Sequence, residues 1–127
     1  MTVSSFILLT YPLDIAAVSI NQARNRWEGL RGPRFDATFA ALDCYTQPVS
    51  KAFPPAKLVQ PFDVVSMQFC MHYAFETVQK ARCMLDNVSR YLRSGGIFIG
   101  TIPNADLLMY VDLPWCYFVL VHDFPVF

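Results

Sequence analysis

The sequence has no excess of either charge: ten lysines and arginines balance ten aspartates and glutamates over 127 residues. A protein held mainly by nucleic-acid phosphates needs a broad positive field, and this balance excludes that class. It leaves open the reading of a single nucleotide in a pocket, which depends on shape and stacking. The four cysteines, Cys44, Cys70, Cys83 and Cys116, lack C-x-x-C spacing, and the two histidines, His72 and His122, stand far apart. Neither a zinc site nor a disulfide framework follows, and unpaired thiols suit a reducing compartment. The opening "MTVSSFILLTYPLD" has no basic lead and no small-residue cleavage site, so it is not read as a signal peptide. The closing "LLMYVDLPWCYFVLVHDFPVF" is apolar but carries Asp112, Pro114, His122, Asp123 and Pro125, which argues against a membrane span. Internal repeats and low-complexity segments are absent too. Glycine is scarce, with five in the chain and none before Gly29.

What is present is apolar. At 54% hydrophobic and 16% charged, the chain can bury a core, and its length allows one domain or less. Residues 6–13 form an apolar run ending at Asp14. Ala16, Ile20, Ala23, Trp27 and Leu30 then recur at helical spacing until Gly29 and Gly32 break the pattern. Arg24, Arg26, Arg31 and Arg34 on and after that helix read as a solvated face, with phosphate contact the less common role. "FDATFAALD", 35–43, alternates as a strand does, and the proline-rich 44–61 is an irregular connection. Phe62 to Cys70 reads as a third strand. The next helix carries Val78, Ala81, Met84, Leu85, Val88 and Leu92 on one stripe, with Gly95-Gly96 as its C-cap. "IFIGT", 97–101, is a last strand, and "IPNAD" turns away from it. The order β-α-β-loop-β-α-β, with buried-type strands, predicts a largely parallel sheet with helices on its faces.

In such sheets ligands bind outside the carboxyl ends of the strands. The strands here end in Asp14, Asp43, Gln68-Phe69 and Pro103-Asn104. A carboxylate at Asp14 can accept two hydrogen bonds from a ribose diol, and one at Asp43 can accept from an exocyclic amine such as adenine N6. Either could equally be a helix cap or turn residue, so their coincidence on successive strand ends is the signal. "QFCMHYAFE", 68–76, sets His72 and Tyr73 at a strand mouth. A histidine satisfied by a backbone carbonyl is the commoner role there. The alternative is an aromatic platform that grips a nucleobase.

These residues also carry a family resemblance. "FDVVSMQFCMHYAFE" followed by "ARCMLDNVSRYLRSGGIFIGTIPNADLL" resembles the core of eukaryotic mRNA cap guanine-N7 methyltransferases. "LDIAAVSINQARNRW" resembles the segment after that family's second strand. The likeness covers about residues 13–108 and is interrupted by a divergent loop at 44–61. It implies a Rossmann-like class I methyltransferase sheet, mostly parallel. It also implies methyl transfer from S-adenosylmethionine to N7 of the 5′ cap guanine, without a metal and without a general base. Asp14 would hold the donor ribose and Asp43 its adenine; Cys44 and Tyr73 would complete the donor side, and Gln68 would lie along the methionine moiety. Phe69, His72, Tyr73 and Pro103 would line the guanine pocket. Capped mRNA is the implied partner, with other capping proteins and RNA polymerase II as further candidates, in the nucleus and away from membranes.

The resemblance also sets expectations about what is missing. The family's first strand and glycine-rich D-x-G-x-G loop do not precede Asp14, and the tail 109–127 matches none of its C-terminal strands. The expected sheet is therefore incomplete, with residues 1–108 a partial domain. A chain of this kind is expected to turn over little and to self-associate through unpaired edges. Two other readings remain open: a catalytically dead cap- or partner-binding fragment, and a class I methyltransferase acting on another small acceptor.

Overall fold

A computed structural model of the chain describes residues 9–103 throughout and residues 117–123 as backbone. Among these the element order is β1 (Leu9–Thr10), β2 (Leu13–Asp14), α1 (Ala17–Glu28), β3 (Asp36–Ala37), β4 (Ala40–Ala41), β5 (Phe62–Met67), α2 (Val78–Tyr91), β6 (Leu92–Pro103) and β7 (Tyr117–Asp123). Short 3₁₀ turns at Val49–Lys51, Pro55–Lys57 and Met71–Glu76 lie in the connections. The molecule is mixed α/β with small parallel sheets.

β1 pairs with β3 and β2 with β4, both in parallel. These pairs are two halves of one ladder. Thr38, Ala40 and Leu42 donate their amides to the carbonyls of Thr10, Pro12 and Asp14. Pro12 has no amide to donate in return, which interrupts the strand at its middle. The alternation read in "FDATFAALD" places Phe35 and Phe39 against α1, where both rings meet Trp27 edge-on. The indole N–H of Trp27 donates to Phe35 O at 3.0 Å. Ile20 is the buried residue of α1, and Leu30 lies past its end, exposed.

β5 pairs in parallel with β6, and β6 pairs antiparallel with β7. The sheet is thus parallel where a crossover helix joins its strands and antiparallel at the added strand. Part of the apolar tail joins the ladder as β7.

The core lies between this sheet and α2. Met67, Met71, Ala74, Met84, Val88, Leu92 and Phe98 form one buried cluster. α2 is capped by Thr77, whose hydroxyl accepts the amide of Lys80, and its buried stripe is narrower than the sequence pattern suggests. Met84 and Val88 face inward, while Val78 and Leu85 are exposed.

Three boundaries differ from the sequence expectation. Gly95-Gly96 do not cap α2, which ends at Tyr91. Leu92 is drawn into the ladder opposite Phe62, and the next pair is Val64 with Ile97. Residues 93–96 therefore bulge out of register, and Gly95 supplies the left-handed φ of 68° that the bulge needs. β5 stops at Met67 instead of Cys70, because the backbone reverses at Phe69 with φ 58°. "IFIGT" is the middle of a longer strand, Leu92–Pro103. The expected strand residues Phe6–Leu8 and the "NAD" of the following turn, with Asn104, lie outside the described residues.

Candidate functional site

Asp14 ends β2 three residues before α1 begins. Its Oδ1 accepts the amide of Ala16 at 2.7 Å, which turns the chain into the helix. The residue is exposed, and Oδ2 has no protein partner among the described residues. Asp43 lies just past β4 and is half-buried. Its Oδ1 accepts the Tyr45 amide at 3.0 Å, and its Oδ2 accepts the Thr46 hydroxyl at 2.8 Å. Each carboxylate oxygen has two acceptor directions, so both retain one. The two strand ends are joined directly, since Leu42 donates to Asp14 O at 2.9 Å.

The turn after Asp43 is fastened on two sides. Asn87 of α2 donates Nδ2 to Cys44 O at 2.8 Å and to Gln47 O at 2.9 Å, and its Oδ1 accepts the Val49 amide at 3.0 Å. The Tyr45 hydroxyl donates to Cys70 O at 2.7 Å, and the same carbonyl accepts the Tyr73 amide at 3.1 Å. Burial, with Cys70 and Asp43 nearby, pushes the Cys44 thiol up to about 11. Burial and the hydrogen bond to Cys70 push the Tyr45 phenol in the same direction. Both groups are held neutral.

The segment after β5 is built around a strained residue. Phe69 is the one described non-glycine residue with positive φ, and its amide donates to Thr101 Oγ1 at 2.8 Å. Thr101 is buried in β6, two positions before Pro103. Gln68 is exposed and donates Nε2 to Ser66 Oγ at 2.9 Å. Gly100 makes the segment's close seating possible: a Cβ there would lie 2.6 Å from Met71 Sδ.

His72 and Tyr73 sit on the 3₁₀ turn with ring centroids 4.2 Å apart and planes inclined at 39°. Tyr73 is 60% exposed and Phe69 57%, unusual for large aromatic side chains. The Nδ1 of His72 is buried and has no hydrogen-bond partner. A histidine held to a backbone carbonyl through Nδ1 would satisfy that atom, and His72 is not held in that way. Among the described residues no group of three or more His, Cys, Asp or Glu is placed to hold a metal ion. No helix among them is long and apolar enough to cross a membrane.

The structure therefore links Asp14, Asp43, Cys44, the Cys70–Tyr73 turn and, through Thr101, Phe69 at the strand ends. Pro103, half-buried, closes β6 beside them. Tyr45, Asn87 and Thr101 were missed in the sequence. For Asn87 there was a signal, an amide on the inward side of a helix otherwise lined with apolar residues.

Carboxylates at two adjacent strand ends, a helix after the first of them, and an aromatic turn with an unsatisfied imidazole thus belong to one mixed α/β unit. The family model of the mRNA (guanine-N(7))-methyltransferase domain matches residues 3–113, and the chain belongs to that family. It is 54% identical over 104 residues to the mRNA cap guanine-N(7) methyltransferase of Cryptococcus neoformans var. neoformans serotype D (strain JEC21), covering 81% of this chain and 17% of that protein. The enzyme of the same name from Schizosaccharomyces pombe is 50% identical over 97 residues, covering 76% of this chain and 26% of its own length. That of Saccharomyces cerevisiae is 40% identical over 101 residues, covering 77% and 23%. The chain thus spans 17% to 26% of the length of these relatives. A methyltransferase domain implies S-adenosylmethionine as methyl donor.

Proposed function

We propose that this chain forms the wall between methyl donor and acceptor base in an mRNA cap guanine-N7 methyltransferase. The observation that supports it most is the buried, unpartnered Nδ1 of His72 beside an exposed Tyr73, on a turn tied to the carboxylate-bearing strand ends. A buried polar atom without a protein partner is open to a ligand or an ordered water.

The residues fit the donor at its nucleoside end. Asp14 has an open oxygen for the ribose hydroxyls, and Asp43 keeps acceptor capacity for the adenine amine. Cys44 and Tyr73 would flank the donor and Gln68 would lie along its methionine part. Phe69, His72, Tyr73 and Pro103 would enclose the guanine. S-adenosylmethionine supplies a methyl group already activated on a sulfonium sulfur. Guanine N7 is a lone pair without a proton, so no side chain here has to remove one. The chain's contribution is to hold N7 in line with the transferable methyl and to surround the moving charge with fixed dipoles. The neutral Cys44 suits that task, since its thiol keeps its proton at physiological pH.

In this reading β1–β6 are part of a Rossmann-like class I sheet within residues 1–108, and 109–127 are a tail outside that domain. The partner is 5′-capped mRNA in the nucleus, alongside other capping proteins and RNA polymerase II. A binding screen tests the acceptor: the unmethylated cap dinucleotide GpppG should bind, and small amine or nucleobase acceptors should not. His72→Ala should weaken GpppG by about 10- to 100-fold, corresponding to the loss of a well-formed base contact. Preference for a small acceptor would overturn the assignment.

A further inference from the structure

Tyr45 is hydrogen-bonded at both of its ends, and the two bonds reach opposite sides of the proposed site. Its amide donates to Asp43 Oδ1 at 3.0 Å, and its hydroxyl donates to Cys70 O at 2.7 Å. Cys70 O also accepts the Tyr73 amide, at 3.1 Å, which fixes the start of the turn bearing His72 and Tyr73. The far side of the Asp43 turn is anchored by Asn87, which donates to Cys44 O and Gln47 O and accepts from Val49 N. We infer that Tyr45 and Asn87 are positioning residues that couple the donor side to the base side, so that filling either one raises affinity for the other. This rests on the roles proposed above for Asp43 and for His72 and Tyr73.

The physical basis is shared ordering. The Asp43 turn is an irregular connection, held by Asn87 and by bonds within itself. A ligand on the Asp43 carboxylate fixes the Tyr45 amide and, through a rigid ring with only two rotatable bonds, the hydroxyl 25 residues away in sequence from its acceptor. Whichever ligand binds first orders both turns, and the second meets a site already arranged. Asn87 supplies the fixed point: without it the Asp43 turn could shift as a body and Tyr45 would transmit nothing.

The test is a two-ligand cycle on the 127-residue chain. GpppG is titrated by calorimetry with and without saturating S-adenosylhomocysteine, for the parent, Tyr45→Phe and Asn87→Ala. The parent should bind GpppG about 5- to 10-fold more tightly when S-adenosylhomocysteine is present. Tyr45→Phe keeps the ring and removes one hydroxyl. It should hold each single-ligand affinity within about twofold while bringing the coupling ratio to about one. Hydrogen exchange at the Tyr73 amide gives an independent readout: S-adenosylhomocysteine should slow it in the parent and not in Tyr45→Phe. A Tyr45→Phe variant that loses thermal stability but keeps the parent ratio would reduce Tyr45 to a structural staple and overturn the coupling. So would a parent ratio of one, with both ligands bound. A parent that binds neither ligand would instead overturn the proposed function, and the coupling with it.

Discussion

The bond from the Phe69 amide to Thr101 Oγ1, at 2.8 Å, holds a phenylalanine at φ 58°, a conformation bulky side chains avoid. Thr101→Val keeps the shape of the side chain and removes the acceptor. Chemical denaturation should show a loss of about 1–3 kcal/mol, while Thr101→Ser should stay near the parent. Because Phe69 is proposed to face the guanine, GpppG binding should weaken in the valine variant as well. Cys44 yields a pH prediction. Its thiol holds its proton up to about 11 in the folded state, against an ordinary 9.0, so between those values the folded chain binds more protons than the unfolded one. That contribution is fully present below about pH 9 and is lost as pH rises through about 11. Tyr45 acts in the same direction at higher pH. Denaturation midpoints measured from neutral to alkaline pH should fall, and Cys44→Ala should flatten the first part of that fall. Of the bonds around Tyr45 only the local one to the Asp43 carboxylate, two residues back, was legible in the sequence, since Cys70 lies 25 residues away and Asn87 reaches its partners across 38 to 43.

At the level of elements, α2 was readable because its apolar positions recur at helical spacing, and Met84 and Val88 do face the core. Its end was not readable. Gly-Gly after a helix pattern reads as a cap, yet Leu92 gains more by joining the buried cluster opposite Phe62 than by extending the helix. The glycines serve the bulge that results. The carboxylates at Asp14 and Asp43 were legible for a different reason: each follows an apolar run, and strand ends in a parallel sheet are where polar residues cluster. Gly100 is where the elements meet most closely. In Gly100→Ala the new Cβ would lie 2.6 Å from Met71 Sδ and 3.2 Å from Met67 O. Met71 is buried, so its side chain must repack inside the core beneath the 3₁₀ turn. The variant should lose about 1–3 kcal/mol of stability. Its GpppG affinity should drop further than S-adenosylhomocysteine affinity, because Met71 adjoins His72 and not the Asp14 strand.

For the whole molecule, the described residues divide between the ladder of β1 to β4 and the β5-β6-β7 sheet. They are bridged by Tyr11, whose ring meets Phe53 and Phe62 edge-on at 5.1 and 4.9 Å. Val64 and Ile97, paired across β5 and β6, are both exposed on the sheet face, and Ile15 and Val18 are exposed at α1. Apolar surface of this kind favours self-association. Sedimentation velocity should show mass increasing with concentration, and a monomer across the range would contradict that expectation. Charge balance reinforces the point, since a neutral chain lacks the repulsion that keeps copies apart.

The central claim is that one wall serves two ligands, and paired substitutions test it most directly. The parent, Asp14→Ala and His72→Ala are each titrated with S-adenosylhomocysteine and with GpppG, with circular dichroism confirming that each is folded. The account predicts a crossed result: Asp14→Ala loses affinity mainly for S-adenosylhomocysteine, and His72→Ala loses it mainly for GpppG. Equal loss of both ligands in both folded variants, or no change in either, would contradict it.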